Sequence, residues 1–594
     1  GDVDTAFATA EHLIKGSYEV PRLVASPMEC RGVVARFDDD HDELTIWSST
    51  QVPHRVKTYL GSILPNPPKN IRVIAPDVGG GFGRKIEVWP EEILCAHMSI
   101  KLGRPIKWLE ERSENMRASH GRGFSATVEA AVNSAGVIAG MRIRMSADMG
   151  AFFMTSSGGP LGNAVQRVAG PYAIPAMDVE CVGVLSNRPP TGPYRGAGGP
   201  EAAVPVERMM DDIASKLQID PAEIRRRNFV SRDDFPYNTA TGLLYDSGDF
   251  QGAFERLMDI VGYDDARERQ LMSPDSNQLV GIGLATVVKA SGGKANVRTG
   301  NARLQLLHDG RISVCTDVSP HGQGTETTFA QFVADVLGVR PADVDVRHGD
   351  TDQLESGGGT TSSRGLAVGG SAAFLGAEQL RDQLATLAAP LLGCDSSEEI
   401  ELKGGFAGRR DSSDQRIGLD ALAQALTEDQ ATIETSYTLP SNPFAFAAHA
   451  AIVGVDTETG DVKIERFAAV HDCGLMINPM IVEGQIHGGI AQGIGQALSE
   501  VVRYDEAGQP SATSFMSYGL PTAEDIPFME LDNLQTPSPT NPLGIKGIGE
   551  TPTVASPVAV ANAVIDALRA RGIDHIDIPL DRDKIWRAIN IQGG

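Results

Sequence analysis

Six glycine-rich segments constrain this 594-residue chain more than any other feature: GGGFGR (79–84), PYRGAGGP (193–200), SPHGQG (319–324), ESGGGTTSSRG (355–365), VEGQIHGGIAQGIGQ (482–496) and GIKGIGE (544–550). Glycine lets backbone turn through conformations closed to other residues and come close to a bulky partner. Disordered glycine-rich sequence would have few apolar neighbours. These clusters instead lie between well-patterned strands and helices. The arrangement points to several backbone loops converging on one large polar ligand.

Three hairpins read alike. Ala126–Ala147 turns at NSAG (133–136) and ends in SADMGAFF; Ala302–Thr316 turns at HDG (308–310) and ends in TDVSPHGQG; Ala451–Val470 turns at TETG (457–460) and ends in HDCGLMINP. Each second strand delivers an Asp and then a glycine-bearing loop. Val33–Gln51 reads as a divergent fourth copy. Repeated hairpins predict loops aimed at a common centre between two related halves. The competing reading is that any hairpin ends in a turn. A chain this long is expected to form two or more domains. The polar segment RQLMSPDSNQ (269–278) marks the boundary, giving halves of 1–268 and 279–594. Helices are read at Pro200–Leu217, Thr325–Leu337, Ala373–Leu392 and Val482–Leu498, with another from Pro557 onward. Residues 395–415 read as an exposed hairpin. The fold class is α+β, with mixed sheets and helices in two halves.

In Asn541–Pro557, three glycines (Gly544, Gly547, Gly549) lead to one acid, Glu550, flanked by Leu543, Ile545, Ile548 and Val554. A carboxylate at the edge of a buried site is expected to have a raised pKa and to suit a general base. The alternative is a solvated acid at a helix start.

The net charge of −25 argues against nucleic acid or an anionic membrane as partner. The six cysteines (30, 95, 181, 315, 394 and 473) form no CxxC pair, so no local zinc-ribbon or iron–sulfur motif is present. Their scatter speaks against a disulfide framework and fits a reducing, cytoplasmic compartment. No apolar run is read as a membrane span. The chain opens on Gly rather than Met, which reads as processing or as a piece of a longer product.

Seven motifs in order carry a resemblance: SPMECRG (26–32), STQVPH (49–54), PDVGGGFGRK (76–85), TGPYRGAGGPE (191–201), SPHGQGTETTF (319–329), DCGLMINPMIVEGQIHGGIAQGIG (472–495) and GIKGIGE (544–550). With them the chain resembles the molybdenum-binding large subunits of the xanthine dehydrogenase/aldehyde oxidase family, which includes carbon monoxide dehydrogenase-like proteins. The resemblance implies two related molybdopterin-binding halves with the cofactor between them. It implies molybdopterin cytosine dinucleotide, its molybdenum carrying oxo, sulfido and hydroxyl ligands and taking no ligand from the protein. Gln51 matches the glutamine that hydrogen-bonds the oxo group, Arg195 the arginine that braces the cofactor, and Glu550 the general base. Gly80, Gly81, Phe82 and Gly83 match the loop against the metal centre; His321, Gly322, Gln323 and Gly324 match the pterin-binding loop. Thr361, Ser362, Ser363, Arg364, Gln485 and Gly547 match further cofactor contacts. The reaction implied is hydroxylation with water as oxygen source: Glu550 takes a proton from the metal-bound hydroxyl, and a hydride passes to the sulfido ligand. Electrons then leave for 2Fe-2S and FAD subunits, the whole a dimer of heteromers.

Departures narrow the substrate. Carbon monoxide dehydrogenases of the family hold copper with a cysteine where this chain has Gly196. Purine oxidisers place a glutamate where this chain has Ile86, and Arg84 replaces a glycine. The family's methionine before GQG is His321, read as a hydrogen-bonding group. The stretch matching residues 1–50 follows a smaller "hammerhead" domain in the family, expected here as a separate chain or a cleaved segment. The reading is hydroxylation of an N-heteroaromatic ring in a pocket of Phe82, Ile86, Phe152, Phe153, Tyr194 and the strand end Ala285–Val288, including Thr286 and Val287. The alternatives are aldehyde oxidation by the same site and a catalytically silent binding subunit.

Overall fold

Each of the four hairpins is the middle of a four-stranded sheet, and all four sheets share one order. The computed structural model describes residues 1–272, 277–294, 297–412 and 414–591. In the first half, Gly32–Asp38 and Glu43–Ser48 lie between an antiparallel strand, Ile106–Leu109, and a parallel one, Asn70–Ile74. Gly121–Val132 and Ile138–Gly150 lie between antiparallel His12–Leu23 and parallel Met177–Leu185. The second half repeats this. Thr299–Leu306 and Ile312–Thr316 lie between antiparallel Thr432–Thr438 and parallel Val344–Arg347. Phe444–Asp456 and Val462–Asp472 lie between antiparallel Gln278–Ala290 and parallel Met529–Leu534. The Val33–Gln51 hairpin thus has the same place in its sheet as the other three.

A parallel neighbour cannot be reached through a tight turn. Every hairpin therefore exits through a loop into a helix: Pro53–Ile63, Gly158–Arg167, Thr325–Leu337 and Pro479–Leu498. The Asp closing three of the hairpins is a clamp. Asp148 pairs with Arg22 (2.6 Å), Asp317 with Arg364 (3.0 Å) and Asp472 with Lys546 (3.0 Å).

One apolar core runs through both halves, joining Val128 and Ile143 of one sheet to Ile282 and Ile452 of another through the helix Thr551–Leu568. Smaller cores lie under the remaining two sheets. The central helix starts at Thr551, not Pro557. Pro552 sits in its first turn, where a missing N–H costs nothing, and Pro557 is carried inside a helix buried at every residue but Asp566. It packs directly on Gln278–Ala290, because a Cβ at Gly281 or Gly283 would collide with the backbone of Ala559, Ala563 or Ala567. By length and composition Thr551–Arg571 could cross a membrane, contrary to the reading of the sequence, but 94% of its apolar window is buried inside the protein.

Of the segment read as the boundary, residues 273–276 lie outside the described residues; the helix Tyr263–Leu271 precedes it and the strand Gln278–Ala290 follows. The 395–415 segment, of which residue 413 lies outside the described residues, does form a hairpin, but one packed on the core and not an exposed excursion. Ile400–Lys403 pairs with Phe406–Arg409, which pairs in turn with Arg416–Gly418, and Ile400, Leu402 and Ala407 enter the core under the neighbouring sheet.

Candidate active site

The four exit loops meet on one cavity of about 1840 Å³. They contribute Gln51; Thr155 and Ser156; His321, Gly322 and Gln323; and Cys473 with Leu475–Asn478. Tyr194 and Arg195, residues of 355–363, and Ile545–Glu550 complete the wall, with residues of the helices Gly158–Arg167 and Pro479–Leu498.

Gln51 ties three loops together. Its Nε2 donates to the Thr360 carbonyl (2.9 Å), and its Oε1 accepts from Gly83 N–H (3.0 Å). A Cβ at Gly81 would collide with this amide, so only glycine fits there. Phe82 and Gly83 take left-handed φ of 54° and 99°, folding the loop back so that both line the cavity. Arg195 is fully engaged: Nε donates to the Gly549 carbonyl (2.6 Å), Nη1 to Gln492 Oε1 (3.1 Å) and Nη2 to the Gln485 carbonyl (3.1 Å). It fastens the 193–199 loop to the glycine run before Glu550. Arg122, unremarked in the sequence, holds the same loop through the carbonyls of Tyr194 (2.8 Å) and Arg195 (2.7 Å).

Glu550 is the residue before the central helix, but its carboxylate neither caps that helix nor points to bulk water. Oε1 accepts from Gly196 N–H (2.9 Å); Oε2 accepts from Ser363 Oγ (2.9 Å) and faces Lys289 Nζ at 2.7 Å. The expected raised pKa is not found. Burial pushes it up, but the Lys289 ammonium outweighs burial, helped by the Gly196 N–H and the Arg167 charge, and the carboxyl is held well below its ordinary 4.5, at about 2. Burial lowers the Lys289 ammonium to about 8 against the opposing pull of Glu550. The two directions agree on a charged pair at neutral pH. Lys289 is 1% exposed at the end of Gln278–Ala290. The signal for it was a single cation in the apolar run GIGLATVVKA, since a buried charge must be paired.

Other site candidates divide. Ile86, Tyr194, His321, Gly322, Gln323, Thr361, Ser362, Ser363, Gln485 and Gly547 line the cavity. Burial depresses His321 to about 4, which keeps the ring neutral. Arg364 does not line it: this buried side chain binds Asp317 and the carbonyls of Val297, Thr299 and Gly359, holding the 355–363 loop from behind. Gly80 and Gly81 also stand behind the wall, and Gly324 starts a helix against Ile481. Phe152 and Phe153 are 58% and 57% exposed, outside the cavity; their loop enters its wall only from Thr155. Thr286 and Val287 are buried away from the cavity, because their strand reaches it only at its end, Ala290. The Thr286 hydroxyl is spent on Tyr172 (2.8 Å).

The cavity reverses the charge of the molecule around it. Arg55, Arg167, Arg195, Lys294 and Arg298 line it, while the acids are Glu355, Glu500 and Glu550. A Cβ at Gly322 or Gly484 would meet no protein atom within 4 Å, so both glycines leave room for a ligand. Such a donor-rich, cationic chamber fits a large anionic cofactor.

Comparison with known proteins matches residues 1–229 and 256–527 to two models, each described as a molybdopterin cofactor-binding domain. The chain is 36% identical over 620 residues to the nicotine 6-hydroxylase large subunit of Paenarthrobacter nicotinovorans, covering all of this chain and 76% of that one. It is 34% identical to the carbon monoxide dehydrogenase large chain of Hydrogenophaga pseudoflava, covering 99% and 76%. Among solved structures, quinoline 2-oxidoreductase from Pseudomonas putida 86 superimposes with a TM-score of 0.93 at 34% identity, covering 98% and 77%.

Proposed function

The chain belongs to the molybdopterin-binding large subunits of the xanthine dehydrogenase/aldehyde oxidase family, and from that premise we propose that it hydroxylates an electron-poor carbon of an N-heteroaromatic ring. The observation that carries the reading is the Glu550 carboxylate at the cavity wall, fixed by Gly196 N–H, Ser363 and Lys289. The relatives that act on nicotine and quinoline support a heteroaromatic ring. Carbon monoxide fits less well. Gly196 has φ +99°, and a side chain there would press on Pro200 and Val554, so the position has no room for a copper-holding cysteine.

The cofactor proposed is molybdopterin cytosine dinucleotide, which supplies a Lewis-acidic metal that activates water and accepts two electrons. Gln51, Phe82, Gly83, His321–Gln323, Thr361–Ser363, Gln485 and Gly547 would hold it. The chain's own part is positioning and proton handling. Glu550 Oε2 is occupied by Lys289 and Ser363, so Oε1, with one N–H donor, is the oxygen free to take a proton from the nucleophile. Lys289 holds that carboxylate ionised through the neutral range. Arg195 holds the glycine run that carries Glu550 to the cavity wall. Ile86, Phe82 and Tyr194 offer apolar walls to a flat ring, and Asn163 and Arg167 offer donors to its heteroatoms. The names of the relatives as large subunit and large chain support smaller partner subunits, here iron–sulfur and FAD proteins.

Glu550→Gln tests the reading. Shape is kept and the base is removed, so turnover of pyridines and quinolines should fall by about 10²–10⁴-fold, with molybdenum still near one per chain by elemental analysis. Near-normal turnover would remove Glu550 from this role. Turnover of aldehydes alone would replace the heteroaromatic substrate with an aldehyde.

A further inference from the structure

Arg167 ends the helix Gly158–Arg167 and lines the cavity at its Glu550 end. Its Nη1 donates to the carbonyls of Gly196 (3.0 Å) and Ala197 (3.1 Å), the loop whose Gly196 N–H holds Glu550. Its Nε and Nη2 make no hydrogen bond to any described residue and are not sealed off from the cavity. No described carboxylate lies within ion-pair distance of it; Glu550 and Glu201 act on it only at longer range. At the reacting end the cavity wall carries Arg167 and Arg195, while its one anion, Glu550, is already in contact with Lys289. A half-buried cation with no carboxylate in contact favours a counter-charge from a ligand. The free edge of Arg167, Nε–H beside Nη2–H, is the fork that matches the two oxygens of a carboxylate. There is room for one: a Cβ at Gly158, Gly159 or Gly162 on the same helix would meet nothing within 4 Å, and all three glycines line the cavity.

Resting on the heteroaromatic reading above, we infer that Arg167 anchors a carboxylate on the substrate, so that the ring hydroxylated here carries an acid group. The ring carbon then lies toward Glu550 while the acid group lies toward the helix. An ammonium group placed at the Arg167 end would meet a like charge and bind there less well. Arg167 is a specificity residue in this account; the proton chemistry stays with Glu550.

The test uses the complete enzyme complex, wild type and Arg167→Lys. Lysine keeps the charge and one donor for the loop carbonyls but lacks the fork. Turnover of pyridine-3-carboxylate is compared with pyridine-3-carboxamide, and binding of benzoate with benzamide is followed by calorimetry. Molybdenum and released cytidine nucleotide are measured on the same samples. The wild type should prefer the carboxylate in kcat/KM and bind benzoate over benzamide. Arg167→Lys should lose about ten- to a hundredfold of that preference, chiefly in KM, with cofactor content unchanged. Equal treatment of acid and amide by the wild type, or an unchanged preference in Arg167→Lys, would overturn the inference. Loss of molybdenum and nucleotide with the preference intact would assign Arg167 to a cofactor phosphate instead and also overturn it. If no pyridine is turned over by a molybdenum-loaded wild type while benzoate binding still depends on Arg167, the heteroaromatic reading fails and the anchor stands.

Discussion

Glu550 Oε2 takes both the Lys289 ammonium and the Ser363 hydroxyl, so the carboxylate is ionised by its partners and not by solvent. That makes it a weaker base than a lone buried glutamate but one that is always ready. The sign of the pH effect follows. A carboxyl depressed to about 2 is already ionised throughout the range in which activity is measured, so the wild type should show no acid limb from Glu550. In Lys289→Met the two contributions of Lys289 are lost while burial remains, so the pKa moves up. Activity should then fall as pH drops through the weakly acidic range and recover as pH rises, while Lys289→Arg should restore the flat acid side. A uniform loss at every pH in Lys289→Met, measured as kcat/KM, would make Lys289 a packing residue only. Glu550 itself was legible because a glycine run led to one acid. Its partner was not, because nothing in the spacing ties residue 289 to residue 550; only the pairing of strand and central helix brings them together. The same holds for Arg122 and Arg167, which act on a loop far from them in sequence.

Elements were more legible than residues. The hairpin plan could be seen because alternating strands and an Asp–Gly exit recur, and that plan fixes where the loops go. The central helix was read short at its start because Pro552 and Pro557 look like punctuation, whereas one falls in the first turn and the other is outweighed by burial. Phe152, Thr286 and Val287 were misplaced for a related reason. Periodicity shows which residues share a face, but not which end of a strand reaches the cavity. The close seat of the central helix on Gln278–Ala290 carries a prediction. In Gly283→Val the added side chain would strike the Ala559 and Ala563 backbone, which cannot yield as a flexible side chain would. The variant should lose about 1–3 kcal/mol or more in urea unfolding. Because Glu550 immediately precedes this helix, turnover should fall with it. Unchanged unfolding midpoints would show that the helix shifts freely on the sheet.

For the whole molecule, composition and structure point in opposite directions. The net charge of −25 describes the outside, and the cationic cavity appears only when loops from both halves are folded together. The core is shared in the same way: sheets from each half bury their apolar faces on one helix. Cutting the chain within 269–278, the division proposed from sequence, should therefore yield two pieces that neither stay soluble nor bind molybdenum when made alone. Each would expose the face that the central helix covers, and each would carry only part of the cavity wall. Made together, they should co-purify, because burial of that apolar face drives reassembly without a covalent link. The rejoined pieces should then take up molybdenum. The cofactor adds a second contribution of the same kind. A ligand that binds only the folded form stabilises it by RT ln(1 + [L]/Kd), so the loaded protein should unfold at a higher temperature than the cofactor-free one. Amide exchange should slow most at 355–363 and Cys473–Asn478, the wall segments drawn from the second half. If one half alone loaded molybdenum, or loading slowed exchange only in the first half, the cofactor would not lie between the two halves.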